Sequence, residues 1–448
     1  MQNIVIDKPY EFVPPDRGTF WPRLLGRFLL PRYLRSSHGV ESYELIGVER
    51  LRTSVEARHG ILLTPNHCRP CDPMVLYPLG LRVGAPIHIM ASWHLFMESR
   101  FQRWVLRHVG VFSVYREGMD RDALKCAIQI LVDARRPLVL FPEGVISRSN
   151  DRLNHLMDGT IFIARNAAKR RAEESLGKVV LHPVAIRYFF LGDIKQAVEP
   201  VLEEIERRLS WRPQSGRAMR DRIVKVGEAL LTLKELEYQE TPQEGEIPAR
   251  VARLMDHILV PLEQEWLKGK HEDDVLGRVK ALRAAILPDM VAEKIDEAER
   301  NRRWQQLADI YLAQQLSNYP PDYFKPEATP ERLLETVERF EEDLTDKVRV
   351  HRPIHAAIEV GEAIEVPPGR DRGTQADSMM GQVRQQLETM LEGLRARRPP
   401  SRPRVSPSSG APRRSPGGGG PPSRSRVAPS SGAPRRSPDG GGPPGSAA

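Results

Sequence analysis

Between residues 60 and 190, short apolar runs alternate with stretches of helical period. This alternation restricts the fold more than any other feature of the chain. Runs at 61–64, 86–90, 110–114, 138–142 and 179–186 read as buried strands, and helical patterns lie between them near 73–80, 93–107, 119–135 and 156–171. In the third of these, Leu124, Ile128, Leu131 and Val132 share one face. Strands and helices joined by short connections predict an α/β fold, with a mostly parallel central sheet flanked by helices.

From about residue 194 the pattern becomes almost wholly helical. Segments near 197–209, 217–237, 248–268, 272–286, 289–316 and 329–345 carry mixed charge and apolar positions at helical spacing. Strand character returns at 354–360 and 362–366, followed by a last helix near 375–394. The expected organisation is an α/β domain interrupted and then completed. Residues 1–39 form an N-terminal segment with an amphipathic helix, and 40–193 the first part of the α/β domain. Residues 194–347 form a large all-helical insertion, 348–394 the completing strands and helix, and 395–448 a tail.

The tail distorts the charge of the whole. From Arg395 onward there are eleven arginines and one acid, Asp439. Of the formal +8 the tail therefore holds +10, leaving about −2 for the remainder. A body near neutrality gives no support to specific nucleic-acid binding. The tail is rich in Pro, Gly and Ser. It repeats Arg-Val-Ser-Pro-Ser-Ser-Gly-Ala-Pro-Arg-Arg-Ser-Pro from Arg404 almost unchanged from Arg426. With no apolar positions to stack, it is expected to be disordered: either a cationic segment attracted to anionic lipid or RNA, or a solvated tail without a specific role.

Near the N-terminus, Trp21, Leu24, Leu25, Phe28 and Leu29 fall on one helical face, with Arg23 and Arg27 opposite and Pro31 as a stop. The pattern fits a helix lying in an anionic membrane surface and equally one packed on the body. No run approaches the roughly 18 apolar residues that span a bilayer. No signal peptide is evident, and three cysteines make no disulfide framework. The expected location is cytoplasmic, peripheral on the inner face of the membrane.

The chemistry gathers at residues 60–73. The run Ile61 to Leu63 ends at Pro65, and the chain then presents Asn66, His67 and Asp72 in a proline-broken loop. A histidine near a carboxylate is the minimum equipment of a general base. Taken singly, His67 also reads as a hydrogen-bonded core histidine and Asp72 as a helix cap before Pro73. Arg116 alone reads as a surface arginine, and Glu143 as a cap of the turn that follows it.

Four segments taken together decide between these readings. They are His67 with Asp72 five positions on; Gly110-Val-Phe-Ser-Val-Tyr-Arg116; Phe141-Pro142-Glu143-Gly144; and Leu181-His182-Pro183-Val184. In this order they resemble the glycerophospholipid acyltransferase family, whose best-known members acylate 1-acylglycerol 3-phosphate. The resemblance covers roughly 40–190 and extends to 348–394. It implies that His67 is the general base, with Asp72 fixing its tautomer. It further implies that Arg116 grips the acceptor's phosphate, and that Asn66, Glu143, Gly144 and Pro183 belong to the acceptor site. The donor would be acyl-CoA or acyl carrier protein, the acceptor a lysophospholipid. Direct attack on the thioester needs neither a cofactor nor a metal. No Gly-x-Ser-x-Gly elbow and no phosphate-cradling Gly-x-x-x-x-Gly-Lys loop is present.

One departure bears on the acceptor. Family members commonly continue Phe-Pro-Glu-Gly with Thr-Arg-Ser, whereas this chain has Val145-Ile146-Ser147-Arg148. Either Arg148 replaces the missing arginine, or the acceptor is a different glycerol phosphate or polar lipid. A catalytically idle membrane-binding scaffold is a third reading, motivated by the helical insertion and the tail. Cys68 and Cys71 read as filler in the loop more readily than as a metal or redox pair.

Overall fold

The computed structural model describes residues 7–320, 323, 328–345, 347, 349–369 and 374–399. Most of the tail expected from 395 onward lies outside the described residues. The last helix, Thr374–Ala396, overruns that boundary, and Arg398 beyond it still docks on Glu331 at 2.9 Å.

Eight strands form one sheet. They are β1 (Val40–Ile46), β2 (Gly60–Pro65), β3 (His88–Ser92), β4 (Val111–Val114), β5 (Leu138–Val139), β6 (Val179–Phe190), β7 (Ile354–Val360) and β8 (Ile364–Val366). The order is β1-β7-β6-β2-β5-β3-β4, with β8 also on β6. Strands β6, β2, β5, β3 and β4 run parallel, so their C-terminal ends reach the same edge. Strands β7 and β8 join antiparallel to β6, and β1 runs parallel to β7. The sheet thus has the expected mostly parallel core, completed by strands that follow the insertion in sequence.

The period-two geometry of a strand sends neighbouring residues to opposite faces. Ile61 and Leu63 of β2 enter one core, while Leu62 enters the other. The second core is closed by helices Arg121–Asp133, Gly159–Glu173 and Thr374–Ala396. The first is closed by the N-terminal segment and by helices Ile194–Arg208 and Pro330–Thr345, the first and last of the insertion. Between those two helices, Met219–Gln239, Ile247–Leu267, Val275–Val291 and Glu297–Leu316 form a bundle whose own core includes Leu254, Leu282, Ile286 and Ile310.

The structure departs from the expected elements where polar alternation or capping chemistry decides the outcome. Strand β1 and helix Val48–Glu56 carry no clear sequence signal, because Val-Glu-Ser-Tyr-Glu-Leu-Ile mixes polar and apolar residues on a half-buried strand. The helix expected over 93–107 is two helices, and the second is capped by Ser99 Oγ accepting from Gln102 N at 3.0 Å. Only Leu138 and Val139 of the 138–142 run pair as strand. Pro31 starts a helix rather than ending one. Phe20–Phe28 is followed at once by Leu30–His38, with Pro31 in the first turn, where a missing N–H has no intrahelical partner to lose.

The apolar face of that N-terminal helix is turned into the body only in part. Phe20–Phe28 buries Pro22 and Gly26, and leaves Phe28 58% and Phe20 65% exposed. Trp21 meets Trp104 edge to face at 5.0 Å, and Trp104 stacks beside Phe101, itself 74% exposed. Among the described residues no helix is long and apolar enough to cross a membrane.

Candidate active site

His67, Arg116 and the 141–144 turn follow β2, β4 and β5 respectively, at the edge where open α/β sheets bind ligands. The loop after β2 is fixed first by Asn66. Its amide donates to Ile186 O at 3.0 Å, and Ile186 N donates back to its Oδ1 at 2.7 Å. Strand β6 outruns β2 here, so the side chain completes a ladder that the shorter strand cannot. Asn150 repeats the device one step further, donating to Tyr188 O and accepting from Tyr188 N, each at 2.6 Å. Both asparagines are buried, and their amides hold the loop after β2 and the 144–158 loop against one strand.

His67 is part-buried, its ring stacked on Phe141 with centroids 4.1 Å apart. Its Nδ1 lies 2.9 Å from Asp72 Oδ2. The same oxygen accepts from Cys68 N at 2.7 Å and Arg69 N at 2.9 Å, and Tyr188 donates its hydroxyl to Oδ1 at 2.7 Å. Asp72 is fully buried, and these three donors, with the Cys68 thiol 3.8 Å from Oδ1, fix its position besides the imidazole. A carboxylate only accepts, so the proton between the two sits on Nδ1 and the lone pair of the neutral ring on Nε2.

Glu143 ties the third block to the first. Its Oε1 accepts from His67 N at 2.7 Å and its Oε2 from Asn154 N at 3.0 Å. Burial raises its pKa to about 7 against the pull of those two N–H groups. Both oxygens are engaged with backbone, so its observed contacts position His67. Gly144 follows at φ +69°, a left-handed conformation that suits glycine, and its carbonyl accepts from Arg116 Nη2 at 2.7 Å. Arg116 is half-buried, and burial lowers its pKa. The same guanidinium lowers the pKa of His94, second to burial, to about 4.

Pro183 lies buried in β6, between the stretch paired with β8 and the stretch paired with β7. Its carbonyl accepts from Gly361 N at 2.7 Å, and its missing N–H falls at the gap between the two partner strands. Arg148 turns toward the insertion. It forms a two-pronged pair with Glu342 on helix Pro330–Thr345, through Nη1 and through Nη2 at 2.9 Å. That helix also braces the loops through Glu335, which accepts from Asn150 N at 3.3 Å and lies 3.7 Å from Arg69. Burial raises the Glu335 pKa to about 7.

Cys68 and Cys71 are buried beneath the loop. Burial, with Asp72 next, pushes the Cys71 thiol up to about 12 and the Cys68 thiol well above its ordinary value. Both are therefore held as thiols, which are poor nucleophiles. Tyr188, Asn150 and Glu335 have no signal in the sequence. Tyr188 sits in an apolar strand run, and the other two carry no local motif.

The family model described as Acyltransferase matches residues 44–187, which include all four blocks. No curated protein matches the chain.

Proposed function

We propose, from the match of residues 44–187 to the acyltransferase family model, that the protein moves a fatty acyl group from acyl-CoA or acyl carrier protein to the hydroxyl of 1-acylglycerol 3-phosphate. The carrying observation is the His67–Asp72 pair at 2.9 Å, with Nε2 free for a proton, at the same sheet edge as the Arg116 guanidinium.

In this reading the acceptor hydroxyl gives its proton to His67 Nε2 as its oxygen attacks the thioester carbonyl carbon. Asp72 holds the ring and stabilises the imidazolium that forms. The tetrahedral intermediate then collapses, the carbon–sulfur bond breaks, and the thiolate takes the proton from the imidazolium. Arg116 binds the acceptor's phosphate as a charged hydrogen-bond donor. Asn66, Glu143 and Pro183 act behind the reacting groups, by fixing the loop and strand that carry them. Ile146 and the Arg148–Glu342 pair favour a second reading, in which the acceptor is another glycerol phosphate or polar lipid.

The exposed Phe20, Phe28 and Phe101 with basic Arg23 and Arg27 support docking on an anionic membrane surface. There the lipid acceptor would reach the site from the cytoplasmic side. The test is transfer from labelled oleoyl-CoA and acyl carrier protein to a panel of lysolipids, read by mass spectrometry. Transfer that His67→Ala lowers by about 10²-fold or more supports the base. Equal turnover in that variant would sink it, and no transfer to any acceptor would favour the idle scaffold.

A further inference from the structure

Strand β6 sends Val184, Ile186, Tyr188 and Phe190 into the first core. Of these, Tyr188 alone carries a polar side-chain group, and it is 1% exposed. Phe190, one step along the same face, shows that this core accepts a ring without a hydroxyl. A buried hydroxyl costs free energy unless it is bonded, so the Tyr188 oxygen is accounted for by its partners and not by packing. It donates to Asp72 Oδ1 at 2.7 Å and accepts from the Cys71 thiol, whose sulfur lies 3.4 Å away. The Cys68 thiol, 3.8 Å from the same Asp72 oxygen, is the more distant donor. The Cys71 thiol occupies a lone pair of the phenol oxygen and leaves the phenol proton directed at the carboxylate. Burial first, and the charge of Asp72 second, hold the Tyr188 pKa well above its ordinary value, so the phenol remains a donor.

The tyrosine is held from several directions. Asn150 bonds both of its backbone groups, and the Arg69 guanidinium lies 5.6 Å from its ring centroid. Glu335, on insertion helix Pro330–Thr345, lies 3.7 Å from Arg69 and accepts from Asn150 N at 3.3 Å. The insertion therefore braces the residue that faces Asp72 from behind. The two oxygens of Asp72 then have different duties: Oδ2 carries the imidazole with the N–H groups of Cys68 and Arg69, and Oδ1 carries the phenol.

We propose that Tyr188 is a positioning residue of the acyl-transfer site, whose hydroxyl draws charge from Asp72 and so sets how firmly the His67–Asp72 pair holds a proton. The inference rests on the acyltransferase reading. A donor on the carboxylate competes with the imidazolium for its charge. With the hydroxyl in place, the proton taken from the acceptor is held less tightly and passes more readily to the leaving thiolate. Beyond the two thiols and Arg69, the acids around the pair are Glu143, on His67 N, and Glu335 and Glu338, on Arg69. Two further histidines belong to the surroundings. His351 lies 4.0 Å from Glu338, and His38 ends the helix before β1; burial lowers the pKa of both. All of these groups are retained when Tyr188 alone is changed, so the difference from wild type isolates the hydroxyl.

Nitrogen-15 labelling of the histidines in the full chain, with His67→Ala to assign the signal, gives the pH midpoint at which the His67 ring titrates. In Tyr188→Phe that midpoint should rise by about 0.5–1 pH unit, because the imidazolium gains the charge that the hydroxyl had drawn off. A role in packing alone would not move it. With a lysolipid acceptor, kcat should fall about tenfold and the acceptor KM should stay unchanged, since the tyrosine touches the carboxylate and not the substrate. A ring-fluorinated tyrosine placed at position 188 keeps the shape and strengthens the donor, so it should lower the midpoint. That protein carries the test if Tyr188→Phe does not fold. An unchanged midpoint, or a shift of the opposite sign, in either protein overturns the proposal. The expected shifts without transfer to any acceptor would uphold the tuning of the pair and sink the acyltransferase reading.

Discussion

The backbone N–H of His67 donates to Glu143 at 2.7 Å, joining two blocks that lie 76 residues apart. The contact brings the histidine-with-aspartate block and Phe-Pro-Glu-Gly side by side in the fold. The glutamate is itself buried, with both carboxylate oxygens on backbone N–H groups. It fixes the peptide from which the histidine projects, as Asn66 and Asn150 fix the flanking loops on β6.

Asp72 is the sharpest test of the proposed base. Asp72→Asn keeps the shape but replaces one acceptor oxygen with an amide that donates. The expected outcome is a fall in kcat of about 10²–10⁴-fold with little change in KM, since the imidazole loses its preferred tautomer. Steady-state kinetics would be checked against circular dichroism, because a buried donor facing Cys68 N or Arg69 N costs about 1–3 kcal/mol of stability.

Glu143 predicts a pH-dependent stability of definite sign. Its pKa rises from 4.5 unfolded to about 7 folded. Between these values the folded state binds more protons, so stability falls as pH rises through that window and levels off above about 7. The full effect is about 3 kcal/mol, at roughly 1.4 kcal/mol for each pH unit of the window. Glu335, raised to about 7 as well, adds to it in the same direction. Urea midpoints between pH 4.5 and 8 should decline across the window, and Glu143→Gln should flatten part of the slope. A flat wild-type profile would contradict the burial.

The Arg148–Glu342 pair separates bracing from acceptor binding. Both side chains are about a quarter exposed. If Arg148 serves only to hold the loop, Arg148→Ala and Glu342→Ala should have similar effects on acceptor KM. A double-mutant cycle should then show a coupling of about 0.5–3 kcal/mol in stability. A rise in acceptor KM confined to Arg148→Ala would place that arginine on the phosphate.

The aromatic surface predicts membrane docking. Replacing Phe20, Phe28 and Phe101 together by Ser should lower co-sedimentation with phosphatidylglycerol-rich vesicles by at least tenfold, because each ring forfeits roughly 1.5–3 kcal/mol of burial. Circular dichroism should stay unchanged, since all three side chains are exposed. Undiminished binding would leave the patch without this role.

The sequence by itself determined the layered α/β plan, the helical character of the insertion and the four blocks. These depend on periodicity and local spacing, which a single chain displays directly. It also placed His67, Asp72 and Arg116 after strands of one sheet. Tertiary structure alone decided what each block residue touches. Glu143 and Asn66 carry polar groups whose partners no local pattern names; packing buries them, and a buried polar group must find a partner in the protein. Tyr188 on Asp72 and Asn150 on β6 join segments far apart in the chain. Such pairings follow from which surfaces the folded layers bring together, and no local pattern records them.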